Sequence, residues 1–552
     1  MFSCPLPVAR ARGRKPTPEQ ILFGVLLVAY LTPLWIFPYI PSEDGPPHLG
    51  NAYIIKVYNE PASVRIREYY RIDYRQPTNV AYHFALAALM HVFPPLAAEK
   101  VLVSGLVVLL AVAFRRLVIA VQGRAEPAVL LAFPFIFGRP FAMGFYGWVL
   151  SLGVAVAGLA WYWPRRDNLN APTVIVLNLL ALVAFWAHLL GWAVYIGGLV
   201  YLAYGDAALA AWKSRRVGTA APSRRTLLRQ RFALPLYLAP ALALGTFYFL
   251  TQPRLGEVTR NDPAWLVDKI LFCSVVVSYN NFQWFIGVGI AAALWTGIIA
   301  AVTARTLASG RHDAAGPRWS TPDILWGGAT LLTVALYFFL PESTPFRGSW
   351  INIRFLTVPF LAALVFVNGA GVRWFRKIMY VLAPAAAAAF LVGVFMGYAV
   401  GNRYLHAFMA GKWTVASNAT IMPYVDVGYP VAVSRINYIK HAAALYTLGT
   451  RAVNLGNYEP EYVYFPVKWR PGKRPLYNNP LQELQDRPAE VDYLLLWRID
   501  NKVRKLGPLL RPFELVHYKD GLRGLAVWRR RGLAPINHTA FTDRPPPAGA
   551  VR

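Results

Sequence analysis

Pro41-Ser42-Glu43-Asp44-Gly45-Pro46-Pro47-His48 follows directly on an apolar run from Ile21 to Ile40. Two adjacent carboxylates therefore stand where a membrane-crossing helix would emerge into water. Proline and glycine stop that helix and hold the acids at its end. By position alone the pair reads equally as a solvated loop or as a site, and the rest of the chain has to decide.

The 552 residues are 56% hydrophobic and 15% charged, with a mean hydropathy of +0.37. Ordinary soluble domains carry about a quarter charged residues. Apolar runs recur from Ile21 to Val400, many long enough to cross a hydrocarbon core about 30 Å thick. The formal net charge of +29 would suit a nucleic-acid binder only if it lay on one soluble surface. Before Gly401 most basic residues instead flank the apolar runs, as expected of loops kept on the cytoplasmic side. The two cysteines, Cys4 and Cys273, offer neither a disulfide framework nor a cysteine-rich metal site. The first run is followed by more spans and by no small-residue cleavage site, so it reads as a retained anchor.

Arg10, Arg12, Arg14 and Lys15 precede that anchor, which places the N-terminus in the cytoplasm and the acids on the far side. A long first outer loop, 41–100, follows. Within it Asn51 to Tyr70 has the spacing of an interfacial helix, and Val80 to Phe93, too short to span, with two histidines and ending at Pro94-Pro95, reads as an interfacial or re-entrant one. The chain then alternates: out and back between Ala128 and Trp163, again between Thr173 and Tyr204, then into a basic loop of Lys213, Arg215, Arg216, Arg224, Arg225, Arg229 and Arg231. Further runs end with Ile378 to Val400, for about eleven spans in all. The expected fold is a polytopic α-helical membrane protein of the plasma (inner) membrane with an extracytoplasmic C-terminal α/β domain. Its parts are a membrane domain 1–400, a soluble domain 401–542 and a disordered tail 543–552. In the soluble part Val431 to Val433, Tyr462 to Val467 and Val491 to Trp497 read as strands. Ile439 to Leu448 reads as a helix, and Phe513 to Tyr518 with Leu525 to Trp528 as a hairpin around Asp520-Gly521.

With that topology three polar sets share the outer face: Glu43, Asp44 and His48; Arg71, Asp73, Arg75 and Asn79; and Glu342 to Arg347 with Asn352 and Arg354. An arginine at the mouth of an apolar run either snorkels to the interface or meets an anion. Arginine holds phosphate oxygens by paired hydrogen bonds, and a carboxylate can take a proton from a hydroxyl.

These features resemble the GT-C superfamily of membrane glycosyltransferases, which includes protein O-mannosyltransferases and aminoarabinose transferases. The likeness rests on Glu43-Asp44 with Pro46 and His48 after the first span, and on Gln76-Pro77-Thr78-Asn79 in the first loop. Gly144-Phe145 opening a later span and Arg354-Phe355-Leu356 starting a late one add to it. The resemblance implies a sugar donor on a polyprenyl phosphate, transfer with inversion, and a first-loop carboxylate as base. Asp44 matches that base, with Glu43 second, since proteins of this type differ over which member of the pair is used; several show the order Asp-Glu, from which this chain's Glu-Asp departs. Arg354 matches a donor-phosphate ligand, with Arg347 beside it. Asp73 and Asn352 join the substrate-binding set, and His48 either binds substrate, supports Asp44 or caps the turn. The acceptor would be a lipid, a glycan or a protein, and no cofactor is required. Glu43, Asp44 and His48 carry atoms that a divalent ion accepts, but without the fixed spacing of a metal motif. The competing class is a lipid-linked saccharide transporter or flippase, which would call for ionisable residues near the midplane and an inverted repeat. Neither is visible, and no nucleophile elbow is present.

Overall fold

The computed structural model describes residues 15–75, 78–217, 233–253, 256–310, 319–344, 348–369, 371–425, 435–476, 480–498, 503–519 and 524–533. Arg347, the Gln76-Pro77 pair, the Val431–Val433 segment, the Asp520-Gly521 turn, the tail from Asp543, and Arg224, Arg225, Arg229 and Arg231 lie outside them.

Among the described residues eight helices are long and apolar enough to cross a membrane: Pro18–Ile36, Pro95–Gln122, Tyr146–Arg165, Leu189–Lys213, Phe282–Leu307, Thr321–Phe339, Ile351–Asn368 and Arg373–Thr414. Shorter apolar segments among the described residues are Pro127–Ala142, Ala171–Ala187 and Ala239–Thr251. The chain is a multi-pass membrane protein. Large apolar side chains such as Val28, Leu331 and Val381 are exposed around the bundle, a surface suited to lipid and not to water. Pro127–Ala142 is not a regular helix but a 3-10 turn and two short helices broken near Gly138. Almost all of it is buried, which is the condition under which irregular backbone is tolerated at membrane depth. Ion pairs tie spans together, among them Arg115 to both oxygens of Glu19 at 2.8 and 2.7 Å and Arg305 to Asp323 at 2.5 Å.

The acidic stretch does not form a simple turn. Gly45-Pro46-Pro47 opens a helix, Gly45–Val57, because proline is accommodated in a first helical turn, where its missing N–H has no partner to lose. The first loop continues as helix Val64–Tyr69, strand β1 (Tyr70–Ile72) and helix Ala81–Leu89.

The helix Arg373–Met409 is about 55 Å long at 1.5 Å per residue, well beyond a hydrocarbon core. Its end leads into a five-stranded sheet in the order β3-β2-β5-β7-β6, built from β2 (Thr420–Val425), β3 (Val453–Asn454), β5 (Tyr493–Trp497), β6 (Phe513–Lys519) and β7 (Leu525–Arg530). Strand β2 runs parallel to β3 and β5. The expected hairpin is present as antiparallel β6 and β7, with an irregularity between Leu515 and His517. Residues 462–466 form no strand. They turn toward the membrane part, and only β4 (Val467–Trp469) is extended, paired antiparallel with β1 of the first loop. The expected helix from Ile439 is confined to Ala444–Thr450, which leaves Lys440 and His441 in a turn. The C-terminal part is thus stitched to the first loop by shared backbone hydrogen bonds.

Candidate active site

Residues 41–44 are positioned by their backbone. Asn402 of the long helix accepts from Tyr39 N at 2.9 Å and donates to Tyr39 O at 3.1 Å. Asp44 N donates to Met143 O at 3.0 Å, and Tyr146 donates to Ser42 Oγ at 3.1 Å. Gly144 makes this approach possible. Its φ is +85°, and a Cβ there would lie 2.5 Å from Gly45 N.

Asp44 precedes helix Gly45–Val57, yet its side chain makes no capping bond, although aspartate is a favoured cap. Its carboxylate instead faces a cavity of about 570 Å³. Tyr458 donates a hydrogen bond to it, and His441 Nε2 lies 3.6 Å away. Burial pushes the Asp44 carboxyl up to about 6, against the pull of His48 and with Glu43 adding to the rise. Burial and Lys440 push His441 down to about 3, so its ring is neutral. Tyr458 is raised well above the ordinary phenol value by burial and by Asp44, and remains a donor.

Glu43 turns the other way and pairs with Lys440 at 2.7 Å. Burial lowers the Lys440 ammonium, but Glu43 outweighs it and holds the group above its usual value. Of the acidic pair, only Asp44 lines the cavity.

Across the same cavity stands Arg354. The span Ile351–Asn368 begins with Trp350 at φ +59°, a turn that aims Arg354 inward. Its guanidinium lies over Phe145 at 3.8 Å and donates to Ser349 O. Its buried Nε has no hydrogen-bond partner among the described residues. Donor capacity is therefore left for an anion.

The other expected residues divide. His48 lines the cavity, as does Asn79. Asn352 does not: it is fully buried, donates to Tyr337 O and Leu340 O at 2.9 and 3.1 Å, and braces the turn behind Arg354. Asp73 also lies off the cavity, where its carboxylate accepts from Arg75 N at 3.1 Å. Several lining residues were not expected from the sequence as site residues. Tyr458, Tyr462, Tyr464, Phe465 and His441 come from the C-terminal part, and His83 and His188 from helix ends. A strand-like pattern concealed Tyr462, Tyr464 and Phe465, since aromatic and β-branched residues signal pocket walls and strands alike, and a helical reading covered His441.

His48 contacts a further buried group. Its Nδ1 is 2.5 Å from Glu459 Oε1, and His83 Nε2 is 3.2 Å from Glu459 Oε2. Asn51 Nδ2 donates to the same Oε2 at 2.6 Å. Burial raises the Glu459 carboxyl, but His48 and His83 outweigh it and hold the group well below the carboxylate range. His48 is raised, with Glu459 overcoming burial, whereas burial prevails at His83 and lowers it.

No protein-family model matches the chain, and no curated protein does. Among solved structures it is similar to ArnT from Cupriavidus metallidurans in the apo state, at 12% identity over 92% of this chain and 97% of that one, with a TM-score of 0.49. The same protein bound to undecaprenyl phosphate gives 12% identity over 93% and 98%, with a TM-score of 0.49. The chain is also similar to arabinofuranosyltransferase AftD from mycobacteria, at 13% identity over 93% of this chain and 40% of that one, with a TM-score of 0.43.

Proposed function

We propose that the chain is an inverting glycosyltransferase of the GT-C type, moving a sugar from a polyprenyl-phosphate donor to an acceptor hydroxyl at the extracytoplasmic face of the membrane. The observation that carries this reading is that Asp44 and Arg354, far apart in sequence, line one cavity beside the membrane spans. The acceptor oxygen attacks the anomeric carbon while Asp44 takes its proton. The bond from that carbon to the phosphate oxygen breaks, and its electron pair leaves with the phosphate, whose charge Arg354 holds. Tyr458 orients the base. Phosphate is a good leaving group, so positioning and charge stabilisation carry most of the work, and one carboxylate suffices where glycoside hydrolysis uses two. The aromatic wall of Trp148, Tyr462, Tyr464 and Phe465 offers faces on which a sugar ring packs.

The test is to incubate the purified full chain with a panel of polyprenyl-phosphate sugars and acceptors, following donor consumption and anomeric configuration. Consumption of one donor with inversion supports the reading. No donor consumed by wild type, or equal turnover by Asp44→Asn, overturns it.

A further inference from the structure

His48, His83 and Glu459 come from helix Gly45–Val57, helix Ala81–Leu89 and the 3-10 turn Glu459–Glu461. All three are buried, and one ligand atom from each lies within 4.8 Å of the other two. The contact of 2.5 Å between His48 Nδ1 and Glu459 Oε1 lacks hydrogen-bond geometry, and neither atom has a hydrogen-bond partner among the described residues. Two imidazole nitrogens and one carboxylate oxygen at this spacing form a donor set that zinc-class ions take, with bonds of about 2.0–2.2 Å.

The surroundings suit a ligand set better than a plain ion pair. Asn51 donates to Glu459 Oε2 and itself accepts from Asn457 Nδ2 at 2.8 Å, the kind of outer bonding that fixes a metal-binding carboxylate. His48 and His83 both border the cavity, and Glu459 closes the set from behind. Of the three residues that looked like ligands in the sequence, Glu43 is taken up by Lys440 and Asp44 faces Tyr458 and His441, so only His48 is shared with the set seen here.

We propose that His48, His83 and Glu459 bind a divalent ion of the zinc class, with a further coordination position open toward the cavity. The ion would cross-link the first loop to the C-terminal part and so hold Tyr458 over Asp44. This assignment does not depend on the transfer reaction.

The experiment uses the full chain in detergent, purified without a metal column, stripped with chelator and titrated with Co2+ or Zn2+. Expected are one equivalent bound, a visible d–d spectrum of low-coordinate Co2+ and a higher melting temperature with metal. His83→Ala and Glu459→Gln should abolish the spectrum. Asn51→Ala, which removes the outer bonds to Glu459 and Asn457 but no ligand atom, should weaken affinity by roughly 10- to 100-fold and remains informative should the ligand variants not fold. Substoichiometric binding by wild type, or a Co2+ spectrum and affinity unchanged in Asn51→Ala and in those ligand variants that fold, overturns the assignment. These outcomes are read without any sugar donor, so they separate from failure of the transferase reading.

Discussion

The guanidinium of Arg354 lies 3.8 Å from the centre of the Phe145 ring, and the residue before that ring, Gly144, is packed against the backbone of Asp44. One dipeptide thus sets both sides of the cavity: glycine admits the acid and phenylalanine supports the cation. Arg354→Ala should weaken donor binding roughly ten- to hundredfold, since hydrogen bonds to charged groups are worth about 1.5–3 kcal/mol. Arg354→Lys should recover part of that, lacking the paired geometry. Phe145→Leu should cost less, given about 0.5–2 kcal/mol for a cation–π contact. Donor titration of the three variants checks the order.

Asp44→Asn should lower turnover by about 10²- to 10⁴-fold, the usual contribution of a general base, while donor affinity stays close to wild type. Single-turnover assays beside donor-binding measurements separate the two.

The pH dependence follows from the raised Asp44 carboxyl. The base works only when ionised, so turnover should fall as pH drops through about 6. His48, His441, Tyr458 and Arg354 surround this group, and the Glu43–Lys440 pair acts on it through its charges. Tyr458→Phe removes a hydrogen bond that favours the ionised form and should move the profile upward by on the order of one pH unit. A loss of rate with an unmoved profile would mean that Tyr458 serves packing alone. For stability the sign is the reverse of the usual aspartate. With its folded value above its unfolded one, Asp44 stabilises most at low pH and loses that contribution as pH rises through about 6. At neutral pH Asp44→Asn should therefore melt no lower than wild type.

Gly144→Ala should destabilise the protein by more than about 1 kcal/mol, because a side chain at positive φ is strained. Its Cβ would also meet Gly45 N at 2.5 Å. Thermal melts and turnover should fall together, since the displaced backbone carries Asp44.

Hydropathy is a local property, so the spans and the position of Asp44 just beyond the first of them could be read from the chain. So could the strands Tyr493–Trp497 and Leu525–Arg530, where aromatic and branched residues cluster. Local punctuation misled at Gly45-Pro46-Pro47, where the same residues that end one helix begin another. It misled again at 462–466, where a strand-like run lines a cavity.

The amino-acid sequence by itself determined a multi-pass membrane chain with an acid pair at a membrane boundary, because burial in lipid demands long apolar runs wherever they occur. Tertiary structure alone decided which acid of the pair enters the cavity: Lys440 draws Glu43 away, while Tyr458 and His441 receive Asp44. It also decided that Glu459 meets His48 and His83. Those contacts form because β1 pairs with β4 and brings the C-terminal part onto the first loop. Hydrogen bonding between distant strands leaves no periodic trace in the residues that it brings together.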